Sequence, residues 1–133
     1  MTTRAEATFE VKSWDETPCD EAERTGKMVR VRAVYNYQGD IEGEGTWEAL
    51  MTYNEGGTIT HFVSLQRFAG RLEGKSGSFM LQGQGTYKAD AGAESEFVVV
   101  PGSGTGELSG LGGKGSYLAN QPPFTVELAY GFE

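Results

Sequence analysis

The chain has 133 residues, enough for a single domain spanning 1–133 around one core. Twenty glycines, seven Phe, six Tyr and two Trp suit an all-β protein with many turns and an aromatic interior. The net charge of −8 argues against nucleic acid and anionic membranes, and one His with one Cys leaves no ligand set for zinc or an iron–sulfur cluster.

At the N-terminus, Met1 to Glu6 has no signal-peptide apolar region, and no apolar run in the chain approaches the roughly 20 residues that span a bilayer. Residues 5–14 alternate: Ala5, Ala7, Phe9 and Val11 share one face, Glu6, Thr8, Glu10 and Lys12 the other. That is a half-buried strand with Trp14 at its end. The acidic stretch Asp15–Glu23, broken by Pro18, matches no EF-hand spacing and reads as a solvated loop. Cys19 within it has no internal disulfide partner and no base at an activating spacing, so a reducing cytoplasm is the expected home.

Residues 28–37 and 41–53 predict a long hairpin turned at Gln38-Gly39-Asp40. With Tyr37 facing Ile41, one face carries Val29, Val31, Ala33, Tyr35 and Tyr37 with Ile41, Trp47, Ala49, Met51 and Tyr53. The other face sets Arg30 opposite Glu48, an exposed charge ladder, or an acid–base lining if that face turns inward. Residues 58–68 form a strand that does not alternate clearly, so both of its faces are expected to be covered. His61 on it has no Ser, Cys or carboxylate at a telling spacing and reads as a strand residue satisfied by a neighbour.

A second hairpin turns at Glu73-Gly-Lys-Ser. Leu72 opposite Gly77 sets Phe68 against Leu81, Gln66 against Gly83 and Ser64 against Gly85. Glycines at 43, 45, 83 and 85 then line one face, either as barrel curvature or as room left for a ligand. From Val98 to Tyr117 a β-branched run stops at Pro101, and glycines recur at 102, 104, 106, 110, 112, 113 and 115. Leu108 and Leu111 suit one helical turn pinned on a sheet end, a plug between late strands. Strands over 94–100, 114–119 and 124–132 complete the pattern. Short, evenly spaced strands with no helix between them predict an eight-stranded antiparallel up-and-down barrel.

Two motifs match in letters alone. Ala69-Gly-Arg-Leu-Glu-Gly-Lys-Ser resembles a phosphate loop but feeds a strand, where that loop needs a helix N-terminus. Gly110-Leu-Gly-Gly-Lys-Gly resembles a dinucleotide fingerprint without the βαβ unit that gives it meaning.

Several stretches together carry a family resemblance: Thr8-Phe-Glu-Val-Lys-Ser-Trp-Asp-Glu, Gly39-Asp-Ile-Glu-Gly-Glu-Gly-Thr, Leu50-Met-Thr-Tyr, Gln66-Arg-Phe-Ala-Gly, Gly77-Ser-Phe-Met-Leu-Gln and Val99-Val-Pro-Gly-Ser-Gly-Thr-Gly-Glu-Leu. They resemble an uncharacterised bacterial domain-of-unknown-function family with the allene-oxide-cyclase-like barrel. Gly104-Thr-Gly-Glu-Leu-Ser-Gly is also similar to the glycine motif of allene oxide cyclases and dirigent proteins. The resemblance implies an eight-stranded antiparallel barrel with a central cavity, often a homo-oligomer such as a dimer or trimer. Members tend to carry Glu where Gln66 stands and His where Gly83 stands, so an acid–base role for that pair does not transfer here. None of the cyclases' catalytic residues can be matched.

Two functions remain open beside that of a purely structural oligomer with a filled barrel. One is a cofactor-free isomerase or cyclase that folds a small apolar, polyketide- or lipid-like molecule, with Gln66, Tyr35 or Tyr53 hydrogen-bonding a developing oxyanion. The other is a non-catalytic carrier or sensor of a hydrophobic ligand. For either, the expected ligand lining is Tyr35, Trp47, Met51, Tyr53, Gln66, Phe68, Leu81, Gly83 and Tyr87, with no cofactor and no metal.

Overall fold

The computed structural model describes residues 2–18, 27–53, 59–88, 92–120 and 123–133, the side chains of Lys27 and Tyr53 excepted. Eight strands run in chain order: β1 (Thr3–Pro18), β2 (Lys27–Gly39), β3 (Ile41–Tyr53), β4 (Ile59–Leu72), β5 (Lys75–Lys88), β6 (Gly92–Val99), β7 (Leu111–Ala119) and β8 (Phe124–Phe132). Each pairs antiparallel with the next, and β8 pairs with β1, so the sheet closes into a barrel. No described helix is long and apolar enough to cross a membrane.

Alternation along the strands decides what lies inside. Val29, Val31, Ala33, Tyr35 and Tyr37 of β2 are buried, as are Ile41, Trp47, Ala49 and Met51 of β3. These are the apolar face that the sequence defines. β1 extends past the expected 5–14 in both directions and is bulged, its register shifting between Val11 and Ser13. The extra residue reverses the parity of the strand beyond it: Trp14 pairs with Ala33 on the inward side of β2. Val11, expected in the core beside Phe9, is exposed instead.

Both hairpins differ from the expected register by two residues, and the second is tighter than its sequence suggests. Leu72 pairs with Lys75, not with Gly77. Glu73 and Gly74 form the whole connection with φ of 47° and 85°, the positive pair a two-residue primed turn requires. Phe68 therefore pairs with Phe79, Gln66 with Leu81, Ser64 with Gly83 and Phe62 with Gly85. In the first hairpin Arg32, not Arg30, lies opposite Glu48, and Arg30 faces Leu50. The ion pairs among the described residues are Arg4–Glu127, Lys12–Glu44 and Arg71–Glu42, so no Arg30–Glu48 ladder exists. A shift of two preserves the faces while changing every neighbour.

β4 alternates strictly, with Phe62, Ser64, Gln66 and Phe68 inward and Val63, Leu65 and Arg67 outward. The irregularity in its sequence comes from the apolar outward residues.

The glycine-rich segment seals one end of the barrel. Beyond β6 the chain keeps supplying hydrogen-bond partners to the free edge of β5. The Val100 amide donates to the Met80 carbonyl at 2.9 Å, the Met80 amide to Ser103 Oγ at 3.0 Å, and the Ser78 amide to Thr105 Oγ1 at 3.1 Å. A 3-10 turn over Gly106–Leu108 then drops Leu108 into the core. Leu111, expected in the same turn, instead begins β7, so this strand starts before the expected residue 114. Because Leu108 is fully buried, Leu108→Ala should remove about 2–5 kcal/mol of stability in urea unfolding. Leu118→Ala on the barrel's outside should stay within about 0.5 kcal/mol of the parent.

Candidate functional site

The two ends of the barrel differ. The sealed end holds the turns at 38–40 and 73–74 and the segment 100–110. Its interior is dry and packed: Phe68 lies 4.9 Å from Phe79 and 5.7 Å from Tyr37, centroid to centroid. The opposite end is where β1, β3, β5 and β7 finish, and there the inward face turns polar and aromatic together.

Three phenols come together on the inward face. Tyr37 Oη donates to Gln66 Oε1 at 2.5 Å. Tyr117 lies beside Tyr35 and Ser95, close enough for both to shift its titration, and Ser95 Oγ donates to the Gln84 carbonyl at 3.0 Å. Aromatic rings hold the phenols in place. Phe9 lies 5.1 Å from Tyr35 and 5.6 Å from each of Tyr37, Tyr117 and Phe124. Tyr35 stacks on Trp47 at 5.7 Å, and Trp47 stacks on Trp14 at 5.6 Å. Trp14 remains 42% exposed at the rim, its Nε1 donating to Glu16 Oε2 at 2.9 Å.

The chemistry of this lining is narrow. The buried polar side chains besides tyrosine are Thr60, Ser64, Gln66 and Ser95, and none of them ionises. Burial lifts the Tyr35 and Tyr37 hydroxyls well above the ordinary phenol range, Tyr37 less so because Gln66 contacts it. Burial, partly offset by the bonds to Ser95 and Tyr35, pushes Tyr117 up to about 12. All three therefore stay protonated near neutrality, where they donate hydrogen bonds and cannot serve as bases. Among the described residues no three His, Cys, Asp or Glu side chains gather as a metal site. Residues 19–23 of the acidic loop, Cys19 included, lie outside the described residues.

Of the residues picked from sequence, Tyr35, Trp47, Met51, Gln66, Phe68 and Leu81 are all buried on the inward face. Tyr87 shares that face at the rim and is 45% exposed. Tyr53 ends β3, and its side chain lies outside the described part of the chain. Phe68 belongs to the packed, sealed half, away from Trp14. Gln66 and Gly83 are not paired: Gln66 sits opposite Leu81. His61 is exposed on the outside of β4. Sequence reasoning passed over Tyr117, Ser95 and Trp14. Starting β7 at Leu111 puts Tyr117 inward by parity, but the bulge that brings in Trp14 leaves no mark in the alternation.

The glycines provide no open room. A Cβ on Gly45 would collide with Gln66 Oε1, and one on Gly85 would lie 2.7 Å from Phe62 Cζ. At Gly83 it would meet the Glu96 carbonyl at 3.0 Å and Phe97 Cβ at 3.2 Å, and at Gly43 Phe68 Cζ at 3.1 Å. The space that these glycines leave is taken by their neighbours.

Residues 5–130 match the family described as protein of unknown function DUF3224. The chain belongs to the DUF3224 family. A solved relative is the crystal structure of a DUF3224 protein with unknown function from Shewanella oneidensis MR-1. It is 27% identical over 100% of this chain and 99% of that one, with a TM-score of 0.78. No curated protein matches the chain. The barrel with its sealed end is thus a DUF3224 architecture, and function has to be argued from the site.

Two outcomes are expected from this geometry. Gly45→Ala should break the Gln66–Tyr37 bond and overpack the interior by about 1–3 kcal/mol, seen as a lower melting temperature. The raised phenol pKa values act on stability at alkaline pH. Above about 10 the unfolded chain releases phenolic protons that the native state retains, so stability should fall as pH rises past that value. Phenolate absorbance from these three residues should then appear together with the loss of circular dichroism.

Proposed function

We propose that this DUF3224 barrel binds a small, flat, largely apolar molecule carrying a hydrogen-bond acceptor, taken in at the Trp14 end. The supporting observation is the phenol cluster itself. Three protonated tyrosines and Gln66 sit in an interior where, among the described residues, no acid or base is buried. Hydrogen-bonding groups in a core narrow what it accepts, because an occupant must satisfy them or leave them unpaired. Trp14, half exposed and stacked on Trp47, offers the flat apolar surface on which such a molecule rests. Its indole is the side chain that moves aside on entry.

On this reading the protein is a carrier or sensor. A cofactor-free isomerase or cyclase is the second reading, and one observation favours it: Tyr35 and Tyr117 are donors of the kind that stabilises a developing oxyanion. General acid–base steps are beyond this interior, so catalysis here rests on conformational templating of the substrate.

The test is native mass spectrometry of freshly purified protein, then tryptophan-fluorescence titration with a panel of neutral aromatic ketones and esters. A retained small molecule, or saturable quenching, is expected. Tyr117→Phe should weaken binding by roughly 2- to 12-fold, the worth of one hydrogen bond, without a matching loss of stability. No retained molecule and no saturable quenching across the panel would sink the proposal. A ligand returned chemically changed would favour the isomerase reading.

A further inference from the structure

The outer face of β3 and β4 has no cover in the monomer, and its composition points to what covers it. Leu50 on β3 pairs with Val63 on β4, Leu65 lies two residues along from Val63, and Met28 on β2 lies diagonally beside Leu50. These four adjoin. Leu50 is 41% exposed, Val63 55%, Leu65 48% and Met28 38%. Scattered exposed apolar residues are ordinary on a monomer, but an adjoining group on the outer wall of a sheet is the mark of an interface. Apolar outward residues are also why β4 lacks clear alternation in the sequence.

Charge identifies the occupant. Beside the apolar group β3 presents Glu44 and Glu48 outward, whereas β4 presents Arg67 and Arg71. Arg71 pairs with Glu42 at 2.9 Å, and Glu44 with Lys12 at 3.8 Å. Arg67 and Glu48 take part in no ion pair among the described residues. An acidic strand next to a basic strand is its own complement under a two-fold axis that runs parallel to the strands. That operation lays β3 of one copy on β4 of the other.

We propose that a second copy of this chain docks on the β3–β4 face with such an axis. Leu50 of each copy then meets Val63 of the other, Leu65 closes the apolar centre, and Arg67 of each copy comes within diagonal reach of Glu48 of the other. The contact is isologous, so each favourable pair occurs twice and the assembly closes at two. The binding interior opens at a barrel end and not on this side wall, so dimerisation leaves it accessible.

Sedimentation velocity on the full chain across micromolar concentrations tests this. The wild type should run as a dimer, and Val63→Glu as a monomer with unchanged circular dichroism. Arg67→Glu should weaken the dimer roughly five- to twentyfold, because two pairs are lost per dimer. Glu48→Arg should do the same, and the double exchange Glu48→Arg with Arg67→Glu should restore assembly. That exchange carries the test if Val63→Glu does not fold. A wild type that stays monomeric, or that sediments as a trimer, overturns the proposal. A dimer indifferent to Val63→Glu, or not rescued by the double exchange, overturns it as well.

Discussion

The barrel depends on one repeated pairing, an aromatic residue set opposite a glycine of the neighbouring strand. Tyr37 pairs with Gly43, Tyr35 and Phe68 with Gly45, Phe62 with Gly85, and Phe97 with both Gly83 and Gly115. Closing eight strands fixes the interior circumference, so large side chains fit only where the adjacent strand offers none. A glycine in a strand weakens it by itself, and the ring above restores the lost contact area. The same pairing brings rings from different strands within stacking distance, which is how Trp47, Tyr35 and Phe9 come to form one continuous surface.

An interior built this way has consequences for chemistry. Rings exclude water, and the phenols among them must bond to one another or to Gln66 and Ser95. Among the described residues no charge is buried to repay desolvation of an ion, so the cluster stays neutral across the physiological range. The protein therefore holds hydrogen-bond donors in a buried aromatic setting.

The architecture was open to a sequence reading because alternation reports the face of each residue directly. The inward sets on β2, β3 and β8 come from period two, and the plug from Leu108 set among glycines. Neighbours were not open to it in the same way. A two-residue error at Glu73-Gly74 leaves every face intact but sets Gln66 beside Gly83 and Ser64 beside Gly85, small against small, which reads as empty space. In the actual register Phe62 faces Gly85, and the space closes. Glu73 at positive φ is the reason, since a non-glycine residue there conceals a two-residue turn.

The bulge in β1 shows the same limit from the other side. Counting by twos from Ala5 places Trp14 outside, where a large indole would be an exposed surface residue. One unpaired residue near Lys12 rotates the rest of the strand, and Trp14 arrives over Trp47 at the rim. The open end thus owes its aromatic surface to an interruption of the pattern by which the fold is recognised. The sealed end is likewise made by the chain leaving the ladder after Val99 and bonding to β5 through the Ser103 and Thr105 side chains. Regular pairing builds the wall of this barrel, and departures from it make its two ends different. Strict alternation alone would leave both mouths alike.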